Sequence, residues 1–117
     1  MKFGIYGTSM IAKFHAQAIQ AMEGSELVAI FGRRQSAADE LARELGCRGY
    51  SDEEQFFKQS GIEIVTVATP SGAHMEPALK AAAAGVHVIC EKPLEVSLER
   101  VDRMIHAADE AGVTLAG

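Results

Sequence analysis

The residues that directly follow the first apolar run of the chain could hold a phosphate group. Residues 3–6 are short and apolar enough for a strand buried on both faces, and Gly7-Thr8-Ser9-Met10-Ile11-Ala12 follows at once. This stretch matches the dinucleotide fingerprint G-x-G-x-x-G/A at its first and third conserved positions, where Gly7 makes the tight turn and Ala12 allows close helix packing. A helix that begins here points unpaired amides and the positive end of its dipole at an anion. The pattern predicts an anion site, most simply for a dinucleotide pyrophosphate.

Ser9 occupies the middle position of the fingerprint, where glycine normally lets the backbone approach the pyrophosphate. A hydroxyl at this position either donates a hydrogen bond to a phosphate or crowds the ligand, and the residues alone leave both outcomes open. Taken without the rest of the chain, the motif is also compatible with a plain structural turn.

Two adjacent arginines follow the second apolar run, Glu26–Phe31. In an NAD site, an acidic residue about 20 positions past the glycine turn accepts hydrogen bonds from the ribose hydroxyls. Gly32 stands about where that acid belongs, and Arg33 and Arg34 come next. Guanidinium groups attract a 2′-phosphate, whereas a carboxylate would repel it. We therefore predict that Arg33 and Arg34 bind the cofactor and that NADP(H) is preferred over NAD(H). The alternative is a solvated arginine pair at the start of a helix.

Short strands and amphipathic helices alternate along the whole chain. Strands are predicted over residues 3–6, 26–31, 48–50, 62–68, 86–90 and 113–116, and helices over 10–22, 35–45, from 75 to a stop at Gly85, and from a cap at Ser97 to Gly112. A capping box, Ser51-Asp52-Glu53-Glu54, opens one more short helix. The alternation predicts parallel pairing with right-handed crossovers, hence an α/β, doubly wound parallel sheet (a Rossmann fold) with strand order 3-2-1-4-5-6.

The first helix has an apolar face that we expect to pack on the sheet. Its members recur at helical spacing and are Ile11, Phe14, His15, Ala18 and Met22. His15 is therefore interpreted as a core histidine.

Four loops fall at the carboxyl ends of the predicted strands, where ligands of such sheets bind. They cover residues 7–11, 32–35, 69–74 and 91–94. The last loop is the most specific, because Glu91-Lys92-Pro93 places a carboxylate, an ammonium and a proline directly after a buried strand. Solvent-facing charges before a strand-ending proline are the alternative interpretation.

Composition limits the classes of function. The chain has 117 residues, enough for one domain, and 48% of them are hydrophobic and 23% charged. A formal charge of −5 without a basic cluster argues against nucleic acid and anionic membranes as partners. No signal peptide or membrane span is predicted, and Cys47 and Cys90 lack metal-ligand spacing. We expect a cytoplasmic protein with incidental thiols and no metal site.

The chain resembles the N-terminal domain of the Gfo/Idh/MocA family, which includes glucose-fructose oxidoreductase and inositol dehydrogenase. The resemblance spans nearly all residues and is carried by the glycine turn with His15, by Ala68-Thr69-Pro70 with His74, and by Glu91-Lys92-Pro93. It implies that Gly7, Thr8, Ser9, Met10 and Ile11 hold the pyrophosphate. It further implies that the cofactor cleft is lined by Ala68, Thr69, Pro70 and His74, with Glu91 and Lys92 beside the nicotinamide ribose. A capping or packing role is the alternative for His74.

The resemblance also assigns Lys92 a catalytic position at the substrate hydroxyl. Hydride transfer from a carbinol requires that the hydroxyl lose its proton, and a nearby ammonium stabilises the alkoxide that develops. The implied function is an oxidoreductase that uses NADP, or alternatively NAD, on a hydroxyl or carbonyl of a sugar, polyol or similar small molecule. A non-catalytic nucleotide-binding or regulatory module of the same fold is the second function class, and an ammonium at the nicotinamide end is the feature that speaks against it.

Family members continue into a second α/β domain that holds the substrate. We expect residues 1–117 to be the dinucleotide-binding domain alone, with that second domain absent from this chain and turnover by the chain alone incomplete. Homo-oligomerisation through the second domain, or self-association of the surface that it normally covers, is expected.

Overall fold

The structure, a computed structural model, describes residues 1–69, 75–90 and 98–116. Its strands are β1 (Lys2–Tyr6), β2 (Glu26–Phe31), β3 (Arg48–Tyr50), β4 (Ile64–Val67), β5 (His87–Cys90) and β6 (Leu115–Ala116). Its α-helices are α1 (Met10–Ala21), α2 (Gln35–Leu45), α3 (Met75–Ala83) and α4 (Leu98–Ala111), and a short π-helix spans Gln55–Gln59.

The six strands form one parallel sheet in the order β3-β2-β1-β4-β5-β6. The predicted Rossmann topology is therefore confirmed. Because β1 pairs with β2 on one side and β4 on the other, the chain order reverses at β1. The loops after these three strands leave the same edge of the sheet, and that edge is where a doubly wound sheet binds ligands.

Each face of the sheet carries its own hydrophobic core. On one face, Ile5, Ile30 and the buried side of α1 and α2 pack together. On the opposite face, alternate strand residues such as Val65 and Val88 pack with α3, α4 and the π-helix. Burial on both faces explains why these strands are nearly continuous apolar runs.

The π-helix brings two phenylalanines beneath the ends of β1 and β2. Phe56 is fully buried, and Phe57 stacks on Tyr6 with ring centroids 5.9 Å apart. The Tyr6 ring also stacks on Phe31, at 4.3 Å and an interplanar angle of 15°. The Gln55 N–H donates a hydrogen bond to Asp52 Oδ1 at 3.0 Å, so Asp52 takes the capping role that the sequence assigned to Ser51. Ser97, the predicted cap of α4, lies outside the described residues.

The face of α1 that packs on the sheet differs from the predicted one. Ala12, Ala16 and Ile19 are buried, whereas Phe14 is 60% exposed. Ile11, Ala18 and Met22, also predicted to pack, are exposed, and His15 is half-buried. Small residues at positions 12 and 16 let the helix axis approach the strands closely, and the larger side chains are thereby turned outward. The helix was predicted correctly from its periodicity, but its buried face was predicted wrongly because the large apolar residues were expected to pack on the sheet.

Among the described residues, no helix is both long and apolar enough to cross a membrane.

Candidate functional site

A cleft of about 630 Å³ opens at the carboxyl ends of β1, β2 and β4. Its size lies within the range of small-molecule and cofactor sites, about 300–1,000 Å³. The loops after these strands supply most of its walls, and the first turns of α2 and α3 supply the rest. The lining residues are Tyr6, Gly7, Thr8, Ser9, Phe31, Gly32, Arg33, Arg34, Ala37, Ala68, Thr69, Glu76 and Pro77.

Gly7 forms the turn at the centre of this cleft. Its φ of +134° lies in a region that side chains rarely adopt, and a Cβ at this position would lie 2.6 Å from the carbonyl oxygen of Ala68. The Gly7 N–H donates to the Phe31 carbonyl at 2.9 Å, and the Ala68 N–H donates to the Tyr6 carbonyl at 2.9 Å. These bonds tie the ends of β1, β2 and β4 together, so glycine at position 7 is a requirement of the backbone.

Ser9 is the N-cap residue of α1, and its hydroxyl donates to the Ala68 carbonyl oxygen at 3.2 Å. The hydroxyl thus bonds to the backbone after β4, and its donation to a phosphate and its crowding of the ligand both stay predictions. Within the described part of the chain, Ser9 makes no side-chain hydrogen bond to the first turn of α1. The Ala12 N–H of that turn donates to the Ser9 carbonyl at 3.0 Å, whereas the amides of Met10 and Ile11, with the positive end of the helix dipole, are positioned for an anion.

Arg33 and Arg34 lie in the same cleft as the Gly7 turn. Both side chains are exposed, and Arg34 is the N-cap residue of α2. The Gly32 N–H donates to the Tyr50 carbonyl at 2.9 Å, so the chain leaves β2 in a fixed direction before the two arginines. Two positive charges are thus held at the edge of the cleft that lies beyond β2.

A polar network connects Tyr6, which lines the cleft, to Lys80 on α3 through Glu53. The Tyr6 hydroxyl donates to Glu53 Oε2 at 2.7 Å, and Lys80 Nζ donates to Glu53 Oε1 at 2.6 Å. Burial by itself would raise the pKa of Glu53, but the hydrogen bonds from Lys80 and Tyr6 and the charges of Lys80 and Arg33 outweigh it, so this pKa lies below its usual value. Burial, followed by the hydrogen bond to Glu53 and its charge, raises the pKa of Tyr6. Tyr6 is accordingly a neutral hydrogen-bond donor to an ionised carboxylate.

The two cysteines stand apart from this chemistry. Burial raises the pKa of Cys47 to about 11, which keeps the thiol protonated at neutral pH, and Cys90 is buried. In the stretches that the structure describes, no group of three or more His, Cys, Asp or Glu side chains could hold a metal ion.

The structure brings most of the described candidate residues together. Seven predicted site residues line the cleft: Gly7, Thr8, Ser9, Arg33, Arg34, Ala68 and Thr69. Met10 and Ile11 follow in the first turn of α1, but their side chains are 74% and 43% exposed and do not line it. Pro70, His74, Glu91 and Lys92 lie outside the described residues.

Several residues that line the cleft were not predicted from the sequence. Tyr6 and Phe31 end their strands, Ala37 lies in the first turn of α2, and Glu76 and Pro77 lie in the first turn of α3. The available signal was position alone, since the last residue of a strand and the first turn of the next helix both flank a carboxyl-end loop.

Comparison with known proteins identifies the family of the chain that forms this cleft. Residues 1–116 match the profile of GFO_IDH_MocA, described as an oxidoreductase family with an NAD-binding Rossmann fold. The chain belongs to the Gfo/Idh/MocA family. The resemblance inferred from the sequence motifs is thereby confirmed, and the matched residues are the NAD-binding Rossmann domain of an oxidoreductase family.

Individual relatives of this Gfo/Idh/MocA domain are dehydrogenases. The D-xylose 1-dehydrogenase (NADP(+)) 2 of Haloferax volcanii is 37% identical over 117 residues, covering 98% of the chain and 36% of that protein. The myo-inositol 2-dehydrogenase of Thermotoga maritima is 32% identical over 116 residues, covering 98% of the chain and 35% of that protein. A crystal structure of the WlbA dehydrogenase from Bordetella pertussis, in complex with NADH and UDP-GlcNAcA, has a TM-score of 0.91 at 37% identity and covers 97% of the chain and 35% of its own.

The chain therefore spans about a third of the length of these relatives. One of them is named for NADP(+) and another was solved with NADH, so membership of the Gfo/Idh/MocA family by itself does not select between the two cofactors.

Proposed function

We propose that this domain binds NADP(H) in preference to NAD(H) and serves an oxidoreductase that acts on a hydroxyl or carbonyl of a sugar, polyol or similar compound. The observation that carries the cofactor preference is the pair Arg33–Arg34 in the same cleft as the Gly7 turn, with glycine at position 32. A 2′-phosphate near the end of β2 would meet two guanidinium groups and no carboxylate from residue 32.

The cleft fits a dinucleotide in two further respects. The backbone amides of residues 8–11, between the hydrogen-bonded amides of Gly7 and Ala12, are positioned for a pyrophosphate, and the Ser9 side chain is bonded to the Ala68 carbonyl. Glu76 is a carboxylate in the lining, but it belongs to α3 and follows β4, whereas Arg33 and Arg34 follow β2. Because β2 and β4 flank β1 on opposite sides, Glu76 does not take the position of a ribose-binding acid after β2.

A bound nicotinamide would supply or accept the hydride in the chemical step. Lys92 is our candidate for the group at the substrate oxygen. In carbonyl reduction its ammonium would stabilise the developing alkoxide and give that oxygen a proton, and in alcohol oxidation its neutral amine would take the hydroxyl proton. The substrate class follows from the names of relatives, which include a D-xylose dehydrogenase and a myo-inositol dehydrogenase.

The test is a titration of the 117-residue chain with NADPH and with NADH, followed by the nicotinamide fluorescence. We expect tighter binding of NADPH. Replacing both arginines, Arg33→Ala and Arg34→Ala, should weaken NADPH by about tenfold or more per guanidinium, since a charge-assisted hydrogen bond contributes about 1.5–3 kcal/mol. Binding of NADH should change little.

A matched control removes the same charge away from the cleft. Arg43 on α2 and Arg103 on α4 are both exposed and do not line the cleft. The double variant Arg43→Ala with Arg103→Ala should keep the preference for NADPH. Equal losses for NADPH and NADH in the Arg33/Arg34 variant, or the same loss of NADPH in the control, would contradict the proposal.

A further inference from the structure

The space beside Gly32 is closed by another residue of the cleft. A Cβ built on Gly32 would lie 2.8 Å from Thr8 Cγ2, closer than real Cβ atoms approach a neighbour. The same Cβ would lie 3.3 Å from Ala38 Cβ and 3.4 Å from the Ala38 nitrogen, both tight but nearly acceptable contacts. The Thr8 methyl group is therefore the principal obstacle to any side chain at position 32.

The walls around this space have little freedom to withdraw. The Gly32 amide is bonded to Tyr50 on β3, and the neighbouring Phe31 carbonyl accepts the Gly7 amide. Helix α2 packs directly on the end of β3 as well, because a Cβ on Gly49 would lie 2.7 Å from the Ala38 carbonyl carbon. Moving α2 away from Gly32 would break this second contact. Thr8 is exposed, and its β-branched side chain can withdraw the methyl only by changing to another χ1 rotamer.

We propose that Thr8 and Gly32 together determine the choice of cofactor, and that Thr8 is a specificity-determining residue. Its methyl group would lie 2.8 Å from the Cβ of a ribose-binding aspartate or glutamate at position 32, so it obstructs such a side chain beside Arg33 and Arg34. The inference rests on the proposed preference for NADP(H). It adds that this preference cannot be reversed at position 32 alone.

The cofactor test uses Gly32→Asp with and without Thr8→Ser, a change that removes only the obstructing methyl. Gly32→Asp alone should weaken NADPH by about tenfold or more through like-charge repulsion and should gain no affinity for NADH. The double variant should bind NADH about tenfold or more tighter than Gly32→Asp does, since the carboxylate can then accept the ribose hydroxyls.

A second test measures the steric contact alone, since it needs no cofactor and introduces no charge at position 32. Gly32→Ala adds only the Cβ, so it should lower the thermal midpoint of unfolding, and Thr8→Ser should restore much of that loss. If Gly32→Ala is as stable as wild type, or Gly32→Asp alone binds NADH as tightly as the double variant, the pairing of Thr8 with Gly32 is refuted. A wild-type chain that prefers NADH would instead refute the proposed cofactor preference, whatever the variants do.

Discussion

The substitution Gly7→Ala probes the backbone on which the cleft is built. Gly7 has a φ of +134°, and the added methyl carbon would lie 2.6 Å from the Ala68 carbonyl oxygen. That oxygen cannot move freely, because the same residue bonds through its N–H to the Tyr6 carbonyl and through its oxygen to Ser9. The turn must therefore distort, and the first turn of α1 must move with it.

Two costs add to give the expected loss of stability. Holding a non-glycine residue in a sparsely populated backbone region costs about 1–3 kcal/mol. Forcing an extra methyl group into a closely packed position costs about 1–3 kcal/mol more. The sum, about 4 kcal/mol at its centre, is a large part of the roughly 5–15 kcal/mol by which native domains are stable.

Urea unfolding of Gly7→Ala and of Gly61→Ala separates these two costs. Gly61 also has a positive φ, +84°, but nothing lies within 4 Å of a Cβ at that position. Its replacement should cost only about 1–2 kcal/mol, the price of the left-handed conformation. Similar unfolding midpoints for the two variants, together with unchanged NADPH binding by Gly7→Ala, would refute the argument that the Ala68 carbonyl requires glycine at position 7.

Two further outcomes follow from the polar network and from the packing of α1. Tyr6→Phe should lower the free energy of unfolding by about 1 kcal/mol at neutral pH, because an ionised acceptor loses its donor. Since folding depresses the pKa of Glu53, this contribution to stability is present above the ordinary glutamate pKa, about 4.3, and is lost as the pH falls through the lower folded-state value. Equal effects of Tyr6→Phe on urea unfolding at neutral pH and well below pH 4 would contradict this reasoning. Ile19→Ala should lower the free energy of unfolding by about 3 kcal/mol because Ile19 is 3% exposed, whereas Phe14→Ala should change it by no more than about 0.5 kcal/mol because Phe14 is 60% exposed. If thermal unfolding shows the larger loss for Phe14→Ala, the helix face predicted from the sequence is the buried one.

The topology was predictable because a local sequence pattern indicates each strand and α-helix. Three elements begin and end in the structure at the residues predicted from the sequence, namely β2 (Glu26–Phe31), α2 (Gln35–Leu45) and β3 (Arg48–Tyr50). Alternation of such elements leaves little choice besides a parallel, right-handed arrangement. The order of all six strands followed from that rule together with the glycine turn after β1.

Details that depend on contacts between distant segments were not predictable. The Ser9 hydroxyl bonds to a carbonyl 59 residues away, and Tyr6 bonds to Glu53, 47 residues away. The packing face of α1 depends on how closely the helix approaches the sheet, which the spacing of apolar residues does not measure. The obstruction of position 32 by Thr8 is likewise a contact between the loops after β1 and β2.

The proposed function requires that the dinucleotide lie in one cleft, with its pyrophosphate at the Gly7 turn and its 2′-phosphate at Arg33 and Arg34. The most direct measurement is a ¹⁵N–¹H correlation spectrum of the 117-residue chain during titration with NADPH, because each backbone amide reports on its own surroundings. We expect the largest shifts at the amides of residues 7–11 and 32–34, with the shifts at 32–34 reduced when NADH replaces NADPH. The amides of α4, Leu98–Ala111, provide an internal reference on another part of the domain. Shifts that are absent from residues 7–11, or that concentrate on α4, would contradict the account.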